Sequence, residues 1–467
     1  MGRRGIGRRE ADDDGPGRRP AAAVIRITEK QKSQSNPGRI NMKKLLLSTT
    51  AIAMATTVAT TAVAQETTVT YRSWSPVIQT LHKMVEATEA AHPGIAIDVK
   101  TFNYGEYLVD LQTRANSGDM PDLVGLEPGA LTQQYRQQLA PAQQCAQSVW
   151  GDDWQSKFYP LAVDQVRLGN PEGDENFYGL PVLTQTINLW YTVPVLEDLG
   201  LEAPTTYEEL KALADAARES GYAPMMIGAG DGWIRRDVFM QLIHNVAPGL
   251  IYQAEAGDVP WTDARFVKAM QAWKNMFNDG IFQDGALGLS HYPGAVEVIE
   301  SGRAATFPMG AWWQQQAAGD NPTPLSENLS GYAAFKFPDV TGKGAPDDFL
   351  GGIDVMIGIS KDADYDAACK VLTDWIGGAG AQTLINTFND LPAFVGLRPE
   401  KFGSANQEAV WDMFTEEWLP TVKYARQLAS PDVKQALEDA LAAVAAGDKT
   451  PEEGMAMVQA AYDSSKG

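Results

Sequence analysis

The side chains here that could do chemistry are indoles and carboxylates standing just beyond apolar stretches. Trp74, Trp233, Trp312 and Trp313 each follow a short β-prone run, and Glu127, Gln185, Asp231 and Asp354 stand in or just after such runs. An indole offers a flat apolar face, while a carboxylate or amide offers directional hydrogen bonds. Asp354 is a lone charge inside an apolar run, so it needs a partner in the folded chain. Covalent chemistry finds less support. His82, His92, His244 and His291 are scattered without a His-x-x-x-His pair, and the cysteines form no cluster, which argues against a zinc site or a His-activated nucleophile. Gly447-Asp448-Lys449-Thr450 lacks the spacing of a phosphate loop, and Gly377-Gly378-Ala379-Gly380 reads as the stop of a preceding helix. The expectation is non-covalent recognition without catalytic residues, cofactor or metal.

The elements that must position these groups alternate. Thr67 to Arg72 reads as a strand, Pro76 to Ala91 as an amphipathic helix, Ile95 to Phe102 as a strand, Tyr104 to Asn116 as a helix and Pro121 to Leu126 as a third strand. Such βαβαβ order implies a parallel sheet covered by helices, with ligands collecting beyond the carboxyl ends of the strands. Tyr178 to Tyr191 then contains a strand too long to end inside one small lobe. Leu183, Ile187, Leu189 and Tyr191 share one of its faces, and Gln185 is that face's single polar member. That amide is either an edge residue reaching water or a hydrogen-bonding group where the strand crosses an open cleft. Phe349 to Ile359, entered through Gly351-Gly352, reads as a second crossing.

Between and after them the pattern restarts. Thr206 with Glu209 forms a capping box before Leu210, Leu213, Ala214 and Ala217 at helical spacing. Met225 to Gly228 reads as a strand leading to Trp233, and Ala304 to Met309 as a strand delivering Trp312 and Trp313. Gln407 to Leu428 reads as one helix carrying Trp411 and Trp418, and Ser430-Pro431 and Thr450-Pro451 each open a helix.

The 467 residues are enough for two or three domains, with 44% apolar and 21% charged residues, as in globular proteins. Residues 1–41 read as a disordered leader or a mis-called start. Residues 42–64 read as a signal peptide: Lys43-Lys44, an apolar run from Leu45, and the small-x-small site Ala62-Val63-Ala64. No cysteine at the cleavage point offers a lipid anchor. Without residues 1–64, which hold twelve Lys/Arg and five Asp/Glu, 26 basic residues face 54 acidic ones, a net of −28. Nucleic acid is a poor partner for such a surface. Cys145 and Cys369, bound for an oxidising compartment, can form one disulfide or remain two buried thiols.

Several runs, in order, resemble a known family: Pro121–Gly129, Gly179–Tyr191, Leu199–Pro224, Ser301–Thr306 leading to Gly310-Ala311-Trp312, Gly351-Gly352 before a strand and helix, and Gly447–Glu453. Together they are similar to the extracellular solute-binding proteins of ABC importers (family 1), in the branch that includes the maltose-binding protein. The resemblance implies an α/β, two-lobed periplasmic-binding-protein-like fold of type II. Each lobe would be a mostly parallel sheet flanked by helices, and three hinge crossings would join them. It implies lobes at 65–183 plus 356–402 and at 184–353 plus 406–467, which puts both cysteines in the first and favours the disulfide. Pro181, Gly351 and Gly352 suit hinges. The implied partners are a small-molecule ligand and the membrane permease subunits of an ABC transporter, met by a periplasmic monomer.

For the ligand, a pyranose presents C–H faces that stack on rings and a rim of hydroxyls that need in-plane partners. The family carries its sugar contacts over to Trp74 or Ser75, Glu127, Gln185, Trp233 and Trp312, and Trp313, Asp231 and Asp354 stand close enough in the pattern to join them. The same scaffold also serves polyamines and glycerol phosphates. An exported carbohydrate-cleaving enzyme using Glu127 and Asp354 is the rival class.

Overall fold

A computed structural model describes residues 67–317, 331–402 and 405–466. The leader, the export run and the Asn321–Asn328 loop lie outside the described residues.

The strands are β1 (Thr67–Ser73), β2 (Ile95–Thr101), β3 (Leu123–Leu126), β4 (Leu139–Ala140), β5 (Leu180–Thr192), β6 (Ala223–Met225), β7 (Ala304–Gly310), β8 (Tyr332–Phe335), β9 (Phe349–Ser360), β10 (Leu391–Pro392) and β11 (Val422–Ala425). Their main path runs β2-β1-β3-β9-β5-β7-β6. The outer strands pair in parallel, β1 with β2 and β3, and β6 with β7. The long strands β5 and β9 run antiparallel to each other and to β7 and β3 respectively, so the sheet is mixed.

β5 changes partners midway. Leu180 to Thr186 pairs with β9, and Ile187 to Tyr191 pairs with β7. All thirteen of its residues except Tyr191 are buried, which is why Trp190, its indole N–H donating to the Gly310 carbonyl at 3.0 Å, belongs to the core. β9 is buried along its whole length, and the pairing of β5 with β9 is irregular near Pro181 and Leu183. Gly352, opposite Gln185, has a φ of 109°, a backbone state that favours glycine.

The local signals form as their sequences dictate. Thr206 and Glu209 make a reciprocal capping box on the helix Tyr207–Glu219, and Thr450 and Glu453 do the same on Pro451–Ser465. Gly302 has a left-handed φ of 70°. β6 ends at Met225, so most of the strand expected over 225–228 is irregular chain.

The main departure is the long helix expected over 407–428. Helix covers Ala405–Asp412, distorted turns follow to Thr421, and Val422–Ala425 is a strand lying parallel to the start of β9. Pro420 sits where a continuing helix would need a backbone donor, and the edge of β9 supplies a ladder instead.

Cys145, on the helix Gln143–Trp150, and Cys369, on Tyr365–Gly377, are joined in a disulfide across 224 residues of sequence. A cross-link over so long a loop restricts the unfolded chain strongly, so the double variant Cys145→Ser/Cys369→Ser is expected to lose about 3–5 kcal/mol. Denaturant titration of oxidised wild type against the variant measures it, and equal midpoints would contradict the expectation.

Candidate functional site

Five chain segments just past strand ends converge on one cavity of about 520 Å³. Trp74 follows β1, Tyr104 follows β2 and begins the helix Tyr104–Ser117, and Glu127 follows β3. Trp312 follows β7, and Arg426 follows β11. Trp233, in the first turn of the helix Gly232–Val246, and Asp354, within β9, complete its principal lining. Convergence on strand carboxyl ends is the behaviour expected of open α/β sheets.

Two aromatic groups face this space. Trp74 packs edge-on against Tyr104, ring centres 5.3 Å apart. In the second group Trp233 stacks on Tyr292 at 6.1 Å and meets Trp312 at 6.2 Å, and the Trp312 indole N–H donates to the Tyr292 hydroxyl at 3.3 Å. Gly310 is required here, because a Cβ at that position would fall inside the Trp312 ring.

The floor is ionic. Arg426 is buried, and its Nε donates to both carboxylate oxygens of Asp237 at 3.0 Å. Its Nη1 donates to Asp354 at 3.3 Å and lies 3.9 Å from Glu127. The guanidinium also sits 4.9 Å from the Trp312 ring centre and 5.8 Å from that of Trp233, within cation–π range. Glu127 is held from two further sides, by the Tyr104 hydroxyl at 2.6 Å and the Gln427 side-chain amide at 2.9 Å. Just behind, Arg236 donates to Glu438 at 2.6 Å.

These neighbours set the protonation states. Burial works against the Glu127 carboxylate, yet Lys434, Arg426 and Arg236 together hold it below its usual range. Burial pushes Asp354 up from 3.8 to about 7, with Arg426 opposing the shift and Glu127 and Asp237 adding to it. Asp237 is also raised, again by burial first and against Arg426. Both carboxylates are raised chiefly because they are buried, and the one guanidinium they share offsets that only in part.

Of the residues expected from sequence, Trp74, Ser75, Glu127, Trp233, Trp312 and Asp354 line this cavity. Gln185, Asp231 and Trp313 do not. Gln185 is fully buried within β5, just before that strand changes partners, with neither amide atom bonded to a described residue. Asp231 turns away to accept the backbone N–H of His291 at 2.8 Å. Trp313 packs edge-on against Phe307 and Tyr332 in the core, since the tight turn after β7 sends successive side chains in different directions. Sequence reading missed Arg426, whose segment it took for helix, and Tyr292; the interruption Leu419-Pro420-Thr421 was the signal that a strand could follow. Among the described residues, no group of three or more His, Cys, Asp or Glu could hold a metal ion, and no helix is long and apolar enough to cross a membrane.

Strand ends from both parts of a sheet joined by β5 and β9, meeting at an aromatic-walled cavity, define a solute-binding fold. The comparisons agree. The family described as bacterial extracellular solute-binding protein matches residues 74–383, and the chain belongs to that family. The alpha-glucosides-binding periplasmic protein AglE of Rhizobium meliloti is 26% identical over 47% of this chain and 49% of its own, so the chain spans about half the length of that relative. A chitin oligosaccharide binding protein aligns with a TM-score of 0.70 at 20% identity, covering 85% of this chain and 98% of its own. Maltose-bound MalE3 of T. maritima aligns at 0.70 and 15%, covering 85% and 99%. These structures share the two-lobed fold.

Removing the central cation leaves three buried or nearly buried carboxylates facing one another, so Arg426→Ala is expected to cost about 3–5 kcal/mol. Chemical denaturation measures this, and a loss under about 1 kcal/mol would show that the cluster relaxes by protonation instead. Asp354 makes a second prediction. Its folded value of about 7 lies above the ordinary 3.8, so its contribution to stability is complete below the unfolded value and is lost as pH rises through about 7. Asp354→Asn stays neutral and should therefore show a smaller fall in melting temperature than wild type between about pH 5 and 8. Parallel profiles for the two proteins would contradict the assignment.

Proposed function

We propose that the protein is the soluble substrate-binding component of an ABC importer, capturing a sugar between two lobes and delivering it to the membrane permease. The observation that carries this reading is one cavity lined by three indoles, Trp74, Trp233 and Trp312, together with hydrogen-bonding side chains. Pyranose C–H faces stack on such rings while hydroxyls reach Glu127, Asp354 and the Tyr292 hydroxyl. About 520 Å³ accommodates a small saccharide. Family membership supports the transport role, and the ligands for which the similar proteins are named, alpha-glucosides, chitin oligosaccharides and maltose, are sugars.

Lobes at 65–183 plus 356–402 and at 184–353 plus 406–467, closing about Pro181, Gly351 and Gly352, fit the irregular β5–β9 pairing and the left-handed Gly352. In this reading the chain acts as a monomer in the periplasm after removal of residues 42–64, binds no nucleic acid, and catalyses nothing. Glu127 is committed to Tyr104 and Gln427, which suits a hydrogen-bonding floor better than a proton donor to a leaving group. A polyamine is the second reading, favoured by the carboxylates Glu106 and Glu300 at the same cavity.

A thermal-shift screen against mono- and disaccharides, spermidine and glycerol phosphate tests the reading, since a ligand held only by the folded form raises the melting temperature. Trp312→Ala is expected to abolish most of the shift produced by the best sugar. A full shift in that variant would remove the indole from the site, and sustained release of new reducing ends would favour a hydrolase instead.

A further inference from the structure

The charges at the cavity do not balance. Four carboxylates line it, Glu106, Glu127, Glu300 and Asp354, and among the described residues Arg426 is the one cationic side chain that does. That guanidinium is engaged by Asp237 and Asp354, so it has little left to offer an anion. Glu127 is compensated from behind by Lys434, Arg426 and Arg236. Glu106, exposed at the rim, and Glu300, half-buried, have no ion-pair partner among the described residues. Ser75 lines the same space, and its buried hydroxyl has no hydrogen-bond partner among the described residues. Aromatic faces beside unpaired carboxylates form the environment that receives an ammonium group.

Resting on the sugar reading above, we propose that the cavity selects saccharides bearing a basic amine over their neutral counterparts and rejects those bearing a carboxylate. The amine meets Glu300 or Glu106, and the sugar ring keeps its place against the indoles. One exposed carboxylate at about 4 Å is worth roughly fivefold in affinity for an ammonium, and the same factor works against a uronate.

The test is titration calorimetry of the full chain with matched series: glucose, glucosamine and glucuronate; galactose, galactosamine and galacturonate; and the glucosamine disaccharide beside its neutral glucose analogue. The expected result is tenfold or tighter binding of the amine over the neutral member, with the uronate weakest. In Glu300→Gln the amine-to-neutral ratio should fall about fivefold, while Glu300→Asp retains most of it; reading the ratio cancels any loss common to both sugars. Neutral sugars that bind as well as their amines, or uronates that bind tightest, would overturn the inference while leaving the sugar reading intact. Binding of spermidine with no response to any sugar, or no response to any series, would overturn both.

Discussion

Everything at the ligand cavity depends on keeping one guanidinium charged and buried. Arg426 lies under two indoles and among Asp237, Asp354 and Glu127, and each of these neighbours is placed by a different element. A buried ion cluster of this kind stabilises little by itself, because the desolvation of its members offsets most of their attraction. Its effect is geometric: removing any member leaves the others uncompensated, so the end of β11, the middle of β9 and the first turns of the helix Gly232–Val246 must stay in register.

The chain around Arg426 is pinned accordingly. Its backbone N–H donates to the Gly351 carbonyl at 3.0 Å, and Tyr252 donates its hydroxyl to the Ala425 carbonyl. Further on, Ala130 donates to the Leu428 carbonyl at 2.8 Å and Glu255 accepts the Ala429 N–H at 2.7 Å. A four-residue strand with such anchors holds its following side chain far more firmly than propensity would. The position of Gly351 ties this segment to the start of β9, which links the floor of the cavity to the pairing of β9 with β5.

The aromatic walls use a different logic. Trp74 and Trp233 are partly buried and Trp312 is buried, and each packs on another ring, so the walls are preformed and a ligand need not order them. Trp190 and Trp313, of the same residue type and near the same strands, go to the core because β5 and the turn after β7 point them there.

Much of this was legible in the amino-acid order. Capping boxes, glycine stops, the alternation of β1 to β3 with their helices, and the long apolar runs of β5 and β9 are local or periodic signals, and each acts through contacts a few residues apart. From them followed the fold class, the two long strands that join its parts, and the placement of Trp74, Glu127, Trp233 and Trp312 beyond strand ends. Tertiary structure alone decided what depends on distant partners. Val422–Ala425 becomes a strand only because the edge of β9 is available to it, which brings Arg426 to the floor. Gln185, Asp231 and Trp313 leave the cavity because of a buried ladder, a loop amide and a core pocket set by residues tens of positions away. Whether a charge is compensated is likewise a sum over neighbours from five segments, and no spacing along a single chain encodes that sum.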